Sequence, residues 1–268
     1  LDNVTPKSGD LESFPNVLSV SELTFGFENH DTAVIEQLSL NVRKGEIVSI
    51  LGRSGCGKST LLNLVAGLIE PDSGRIEISS ESSVKTRIGY IFQEGALLPW
   101  RTVAANLNLA AEIGGISKEE FEQRRKEFFS SFHLDERILQ QYPSQLSGGM
   151  KQRVSIIQTL LFRPTLLLLD EPFSALDFYT RLSLETEFYN LVRDKGIAAL
   201  LVTHDIEEAI ALSDRIILLG NGGKITAELK IDFADAARDP ESVRCLAEFG
   251  EYYRIMWDKF KAMSSDAK

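Results

Sequence analysis

The stretch Gly52-Arg53-Ser54-Gly55-Cys56-Gly57-Lys58-Ser59-Thr60 leaves this chain few folds to choose from. An apolar run, Ile47-Val48-Ser49-Ile50-Leu51, precedes it and reads as a buried strand. Leu61-Leu62-Asn63-Leu64-Val65-Ala66 follows and reads as a helix. Strand, glycine-rich turn, Lys-Ser and helix together are the context in which G-x-x-x-x-G-K-[ST] is a phosphate-binding loop. Gly52, Gly55 and Gly57 open backbone angles closed to other residues, so successive N–H groups can turn toward one anion. The helix behind them adds its positive N-terminal end. Lys58 supplies a point charge for outer phosphates, and the Ser59 hydroxyl is suited to Mg²⁺.

At 268 residues the chain can bury a full core, as one large domain or one domain carrying an inserted subdomain. A net charge of −10 argues against a broad nucleic-acid-binding surface. One of the two cysteines, Cys56, lies inside the phosphate loop and the other is Cys245, so a structural disulfide is not expected and a reducing compartment fits. No apolar stretch approaches the roughly 18 residues of a membrane span, and no secretory signal is legible at the start. Leu1 is not a natural initiator, so a trimmed start is expected.

Residues 1–16 read as a loose lead-in. Residues 17–27 and 35–42 alternate apolar and polar side chains, which predicts antiparallel strands joined by a turn at 28–31. Further strands are expected at 75–79 and 87–92. From about 99 to 163 the pattern turns helical, with a capping box at Ser117-Lys118-Glu119-Glu120, a short helix ended by Pro143, and a helix opening at Ser147-Gly148-Gly149. Apolar runs at 166–169, 197–202 and 216–219 then alternate with helices at 178–195 and 206–212. Continuous apolar strands between helices predict a mostly parallel α/β sheet covered on both faces, with a helical insertion. After Asn221-Gly222-Gly223, a further helix is expected from Asp239-Pro240, with Val243, Leu246, Phe249, Tyr253, Met256, Trp257 and Phe260 as its apolar stripe. That stripe reads as packing on the core, with a dimer or regulatory contact as the alternative.

A second chemical element is Leu166-Leu167-Leu168-Leu169-Asp170-Glu171. Acids at the carboxyl end of a buried parallel strand sit where open α/β sheets bind ligands. Asp170 is suited to Mg²⁺, and Glu171 is placed to act on an attacking water as base or orienter.

With these residues the chain resembles the ABC-type ATPases, which are P-loop NTPases. Leu146-Ser147-Gly148-Gly149-Met150-Lys151-Gln152-Arg153 resembles their signature sequence, Gln93 their Q-loop glutamine, Ser174-Ala175-Leu176-Asp177 their D-loop, and His204 their switch histidine. The resemblance spans residues 17–230, with the helical subdomain at 99–163, and leaves 231–268 as a C-terminal helical extension. It implies an ATPase using ATP and Mg²⁺. Phe27 would stack on adenine, with Phe25 as rival. Lys58 and the amides of Gly52 through Thr60 would hold the phosphates. Ser59, Gln93 and Asp170 would hold the metal, Glu171 would activate water, and His204 would position it. Ser147, Gly148 and Gly149 read as a bare helix tip, a second anion site. The resemblance implies that they close on ATP held by another copy in a head-to-tail dimer, with Asp177 at that interface. Met150 stands where the family most often has Gln, which removes amide contacts there and leaves the serine and glycine donors. Asp205 and Glu208 are expected to cap a helix.

The wording Phe92-Gln93-Glu94-Gly95-Ala96-Leu97-Leu98-Pro99-Trp100-Arg101-Thr102-Val103, with Met150, is similar to the nitrate/sulfonate/taurine branch of bacterial importers. That implies a second ATPase subunit, identical or paralogous, membrane permease subunits docking at 95–100, an external solute-binding protein acting indirectly, no nucleic acid, and a peripheral place on the cytoplasmic face of the inner membrane. Core packing of the insertion is the other reading of 95–100. A soluble ABC-type ATPase acting on nucleic acid or ribosomes, and a non-hydrolysing nucleotide sensor, are the rival functions.

Overall fold

The fold is described from a computed structural model over residues 14–28, 32–79, 87–93, 95–233 and 239–265. Most of the expected lead-in, Glu94, and residues 29–31 of the expected turn lie outside the described residues.

Two sheets meet at the phosphate loop. β1 (Asn16–Phe25), β2 (Ile35–Arg43) and β4 (Ser73–Ile78) form an antiparallel sheet in the order β2-β1-β4. The larger sheet runs β5-β6-β7-β3-β8-β9, from β3 (Ile47–Gly52), β5 (Ile88–Ile91), β6 (Leu166–Asp170), β7 (Ala198–Thr203), β8 (Arg215–Leu219) and β9 (Ile225–Lys230). All pairings in it are parallel except β8 with β9. β9 was not legible as a strand beforehand: its residues alternate half-buried and exposed at the sheet edge, so no continuous apolar run marks it.

The central strands bury both faces, and their alternation divides the core. Leu166 and Leu168 of β6 join Ile50, Val202, the small sheet and the helix α1 (Lys58–Val65) on one side. Leu167 and Leu169 join the helical layers on the other. Those layers hold α2 (Val103–Gly114), α3 (Lys118–Ser131), α4 (Gly148–Leu161) and α5 (Phe178–Lys195). Between α3 and α4 lie two 3-10 turns, Glu136–Gln140 and Pro143–Gln145. Pro143 thus opens a turn, where it was expected to end a helix, because its missing N–H is harmless at a first helical position. Phe128 and Phe132 are fully buried under this layer.

α6 (Ile206–Leu212) carries a third cluster with the chain's last segment. The single helix expected from Asp239 is two, α7 (Pro240–Val243) and α8 (Ala247–Ser265). Asp239 caps α7 through the Ser242 N–H at 2.9 Å. Val243, Phe249 and Met256 are buried, whereas Trp257 is half exposed and stacks with Tyr253. Among the described residues no helix is long and apolar enough to cross a membrane.

A buried ion pair locks the base of the large sheet. Arg193 near the end of α5 donates to Asp214 Oδ1 at 2.5 Å and to the Gly45 carbonyl at 2.8 Å. The other oxygen of Asp214 accepts the Ile47 N–H at 2.9 Å, at the start of β3. Both side chains are under one-tenth exposed. Arg193→Met would strand the Asp214 charge and is expected to cost about 3–5 kcal/mol in urea unfolding, with Asp214→Asn recovering part of it. A loss of only about 0–1 kcal/mol, as for a solvated pair, would contradict this assignment.

Candidate functional site

The strand order β6-β7-β3 brings three carboxyl ends side by side. Asp170 pairs in register with Val202, and Thr203 with Leu51. Residues that follow these ends, Glu171, His204 and Gly52–Thr60, therefore share one edge of the sheet.

The loop from β3 to α1 needs its glycines. Gly57 sits at φ 101°, and a Cβ there would lie 3.0 Å from the Val34 carbonyl oxygen. At Gly52 a Cβ would meet the Leu219 carbonyl at 2.7 Å. α1 starts at Gly57 without a side-chain cap, whereas α2, α3, α4, α5 and α6 each have one. The first N–H groups of α1 are thus left for a ligand. Lys58 is 6% exposed, and its Nζ donates to the carbonyls of Gly52 at 2.9 Å and Arg53 at 3.0 Å. These bonds hold the ammonium beneath the loop.

A cleft of about 730 Å³ opens here, lined by Phe27, Thr32, Val34, Ser54, Gly55, Gly57, Lys58, Ser59, Thr60, Gln93 and Glu171. Gly52, Arg53 and Cys56 do not line it. Arg53 and Cys56 face a separate hollow beside Met263, and burial pushes the Cys56 thiol up. Phe27 lies just past the end of β1, shorter than the strand expected to 27, and its ring is 47% exposed. Phe25 is buried behind it, edge-to-face at 5.0 Å, which removes the rival aromatic from the cleft.

Glu171 lines the cleft, whereas Asp170 and His204 do not and reach it through Ser59 and Glu171. Ser59 Oγ donates to Asp170 Oδ1 at 3.1 Å. Burial lifts the Asp170 carboxyl above the usual range, and the neighbouring Glu171 charge adds to this. A hydroxyl oxygen and a carboxyl oxygen this close are hard donors that fit a small divalent cation. Gln93 Nε2 donates to Ser174 Oγ at 3.3 Å, and that hydroxyl donates to the Glu171 carbonyl at 2.9 Å. His204 Nδ1 lies 3.0 Å from Glu171 Oε2. Glu171 itself sits at φ 46°, a left-handed value costly for a residue with a Cβ, and its N–H is held by the Val202 carbonyl at 2.9 Å.

Two expectations need correction. Glu208 does not cap α6. Asp205 does, accepting the N–H groups of Glu207 and Glu208 at 2.9 and 3.3 Å. Glu208 points inward and is 3% exposed, where it feels the charges of Glu185 and Asp205. The tip of α4 is not bare either: Ser147 Oγ accepts the Met150 N–H at 3.3 Å, which leaves the hydroxyl proton for an outside acceptor. Ser147 and Gly148 are exposed, and Gly149 lies tight against Thr180 of α5. None of these lines the Lys58 cleft.

Thr32, Val34 and Ser174 join the site without having been singled out. Thr32 and Val34 carried no signal, since only the fold brings the segment before β2 to the phosphate loop; Ser174 carried none beyond its motif. Asn106 was also missed. It is fully buried and pins the loop after Gln93, accepting from the Leu98 N–H at 2.8 Å and donating to the carbonyls of Leu98, Arg101 and Thr102 at 3.1 Å. On that loop Leu97 packs on the core, and Trp100 is 71% exposed.

A glycine-rich loop between a buried parallel strand and a helix, facing an Asp-Glu pair, defines a P-loop ATPase. Residues 35–174 match the family model described as ABC transporter. An aliphatic sulfonates import ATP-binding protein of Agrobacterium fabrum is 43% identical over 219 residues, 81% of this chain and 81% of its own. A taurine import ATP-binding protein of Pseudomonas aeruginosa is 36% identical over 251 residues, 91% of this chain and 95% of its own. Among solved structures, a dimeric ATP-binding cassette in a post-hydrolysis state bound to ADP and phosphate superposes with a TM-score of 0.70 at 31% identity, covering 81% of this chain and 99% of that one. The chain belongs to the ABC transporter family. It is an ATP-binding subunit of that family, an ATPase whose hydrolysis is coupled to transport.

The buried Glu208 gives a stability test. Burial first, then the charges of Glu185 and Asp205, raise its carboxyl well above the ordinary range. The folded chain therefore keeps a proton that the unfolded chain gives up, and stability from this group, full below the ordinary glutamate range, is lost as pH climbs toward the raised value. Glu208→Gln should be more stable than wild type at alkaline pH, with the difference shrinking as pH falls. Parallel unfolding curves at every pH would show that the carboxyl is ordinary.

Proposed function

We infer that the chain is the ATP-hydrolysing subunit of a bacterial importer for a solute of the nitrate/sulfonate/taurine type, working as a pair of ATPase subunits beneath a membrane permease. The observation that carries the chemistry is the 3.0 Å contact of His204 with Glu171, on the same cleft as Lys58 and Ser59. The relatives named for sulfonate and taurine import support the solute class. The fold shared with a dimeric cassette supports the pairing.

In this reading the triphosphate lies against the amides of residues 52–60, with Lys58 turning from its own carbonyls to the outer phosphates. Phe27 stacks on adenine through its exposed face. Ser59, Asp170 and Gln93 would hold Mg²⁺, which when bound supplies charge neutralisation on the phosphates. Glu171 takes the proton of a water whose oxygen attacks the γ-phosphorus, and the bond from that phosphorus to the leaving ADP oxygen breaks in line. His204, fixed by Glu171, orients that water. Ser147, Gly148 and Gly149 of a second copy seal the phosphates, the Ser147 hydroxyl proton being free to donate. ATP favours the closed pair because that state alone uses both donor sets.

The loop bearing the exposed Trp100 is the surface for the permease, and the rigid seat made by Asn106 carries motion from Gln93 to it. The subunit then lies peripherally on the cytoplasmic face of the inner membrane, and an external solute-binding protein acts on it only through the permease. Action on nucleic acid or ribosomes is not favoured, given a net charge of −10 and relatives named for import.

Glu171→Gln is expected to bind ATP, lose about 100-fold or more of its turnover and accumulate as an ATP-bound dimer on size exclusion. Hydrolysis at the wild-type rate would remove Glu171 as the base. Lys58→Ala should lose nucleotide affinity first; unchanged binding by calorimetry would take the lysine out of the site.

A further inference from the structure

We propose that Arg244, at the joint between α7 and α8, is a positioning residue for hydrolysis: it holds a buried carboxylate on α5 and thereby keeps the start of α6, and His204 with it, in place. The proposal rests on the reading of Glu171 and His204 given above.

The residues form a continuous set. Arg244 Nη2 donates to Glu185 Oε2 at 2.5 Å, and its Nη1 to the Pro240 carbonyl at 2.5 Å. Glu185 is wholly buried on α5. Near it on α6 is Glu208, also buried, with Thr203 beside its carboxyl. Thr203 Oγ1 also accepts the Asp205 N–H at 3.0 Å. Asp205 caps α6 and is paired with Arg181 of α5 at 3.3 Å. His204 lies between Thr203 and Asp205, held from both sides.

Charge decides what Arg244 does here. The carboxyls of Glu185, Asp205 and Glu208 share a pocket with two guanidinium groups, Arg181 and Arg244. Burial pushes the carboxyls of Glu185 and Glu208 up alike, and Arg244 works against this at Glu185. Without Arg244 an anion remains in a place with almost no water. A buried unpaired carboxylate is relieved by taking up a proton or by moving toward solvent or a new cation, and either ends the hold of Arg244 on α5. Here relief would move α5 and, through Arg181 and Asp205, shift the residues at the start of α6. Glu185 Oε1 and Glu208 Oε1 already lack a hydrogen-bond partner, so the cluster has no spare donor to absorb the loss. The last segment of the chain thus contributes to the chemistry from behind, through a residue that never touches nucleotide.

The test is steady-state ATPase kinetics on the full chain. Arg244→Met should lower kcat about three- to thirtyfold with KM for ATP unchanged, at a temperature where circular dichroism shows it folded. Adding Glu185→Gln, which removes the stranded charge, should restore most of the lost kcat. A simple staple would lower the melting temperature and leave kcat alone. If Arg244→Met does not accumulate folded, Arg244→Lys is measured instead and should lie between the two. Wild-type kcat in the arginine variant, or a loss that Glu185→Gln does not relieve, overturns the proposal while His204→Ala still loses turnover. Wild-type turnover in His204→Ala would overturn both this proposal and the reading beneath it.

Discussion

Everything at the site depends on how β3 ends. The strand is buried on both faces between β7 and β8, so it cannot shift without moving the sheet. It must then deliver the chain into α1 through a loop whose backbone, not its side chains, makes the binding surface. The close approach of Gly52 to the Leu219 carbonyl and of Gly57 to the Val34 carbonyl leaves no room for substituents. Packing of the sheet and shape of the phosphate site are in this respect one constraint, because the atoms that crowd the loop belong to β8 and to the residue before β2.

The site is layered outward from that loop. The uncapped start of α1 and the Lys58 ammonium gather positive character, and Asp170, Glu171 and His204 stand opposite. Asp170 is answered by the Ser59 hydroxyl, Glu171 by an imidazole and by a hydroxyl on its carbonyl. Behind this row lies a second set of charges, almost dry, reaching from Thr203 to Arg244. The outer row borders the cleft; the inner row is nearly enclosed by protein, with Arg244 partly exposed at its end.

How much could be read in advance differs by kind of residue. The central strands and α5 announced themselves, since continuous leucine and isoleucine runs and a glycine stop signal are local. The positions expected to bear chemistry at 52–60, 171 and 204 follow strand ends, and the strand order sets them on one edge of the sheet. What escaped depended on distant neighbours. β9 is an edge strand without an apolar run, and the break at Arg244 sits inside a stripe that looks continuous in one dimension. Glu208 looked like a solvated cap, and its burial is decided by the elements packed on α6, which include α7, α8 and β3. Asn106 resembled any polar helix residue until the loop it pins was in view.

Glu171 is held at φ 46°, a region where a side chain costs of order 1–3 kcal/mol and glycine or asparagine much less. The neighbouring hydrogen bonds to Val202 and Ser174 keep it there. Under the proposed role of Glu171 as the base, relaxation and turnover are opposed at one position, with the following consequence. Selection for heat resistance alone would drift toward Gly or Asn at 171, and a library sorted that way would be enriched in sturdy proteins unable to cleave their nucleotide.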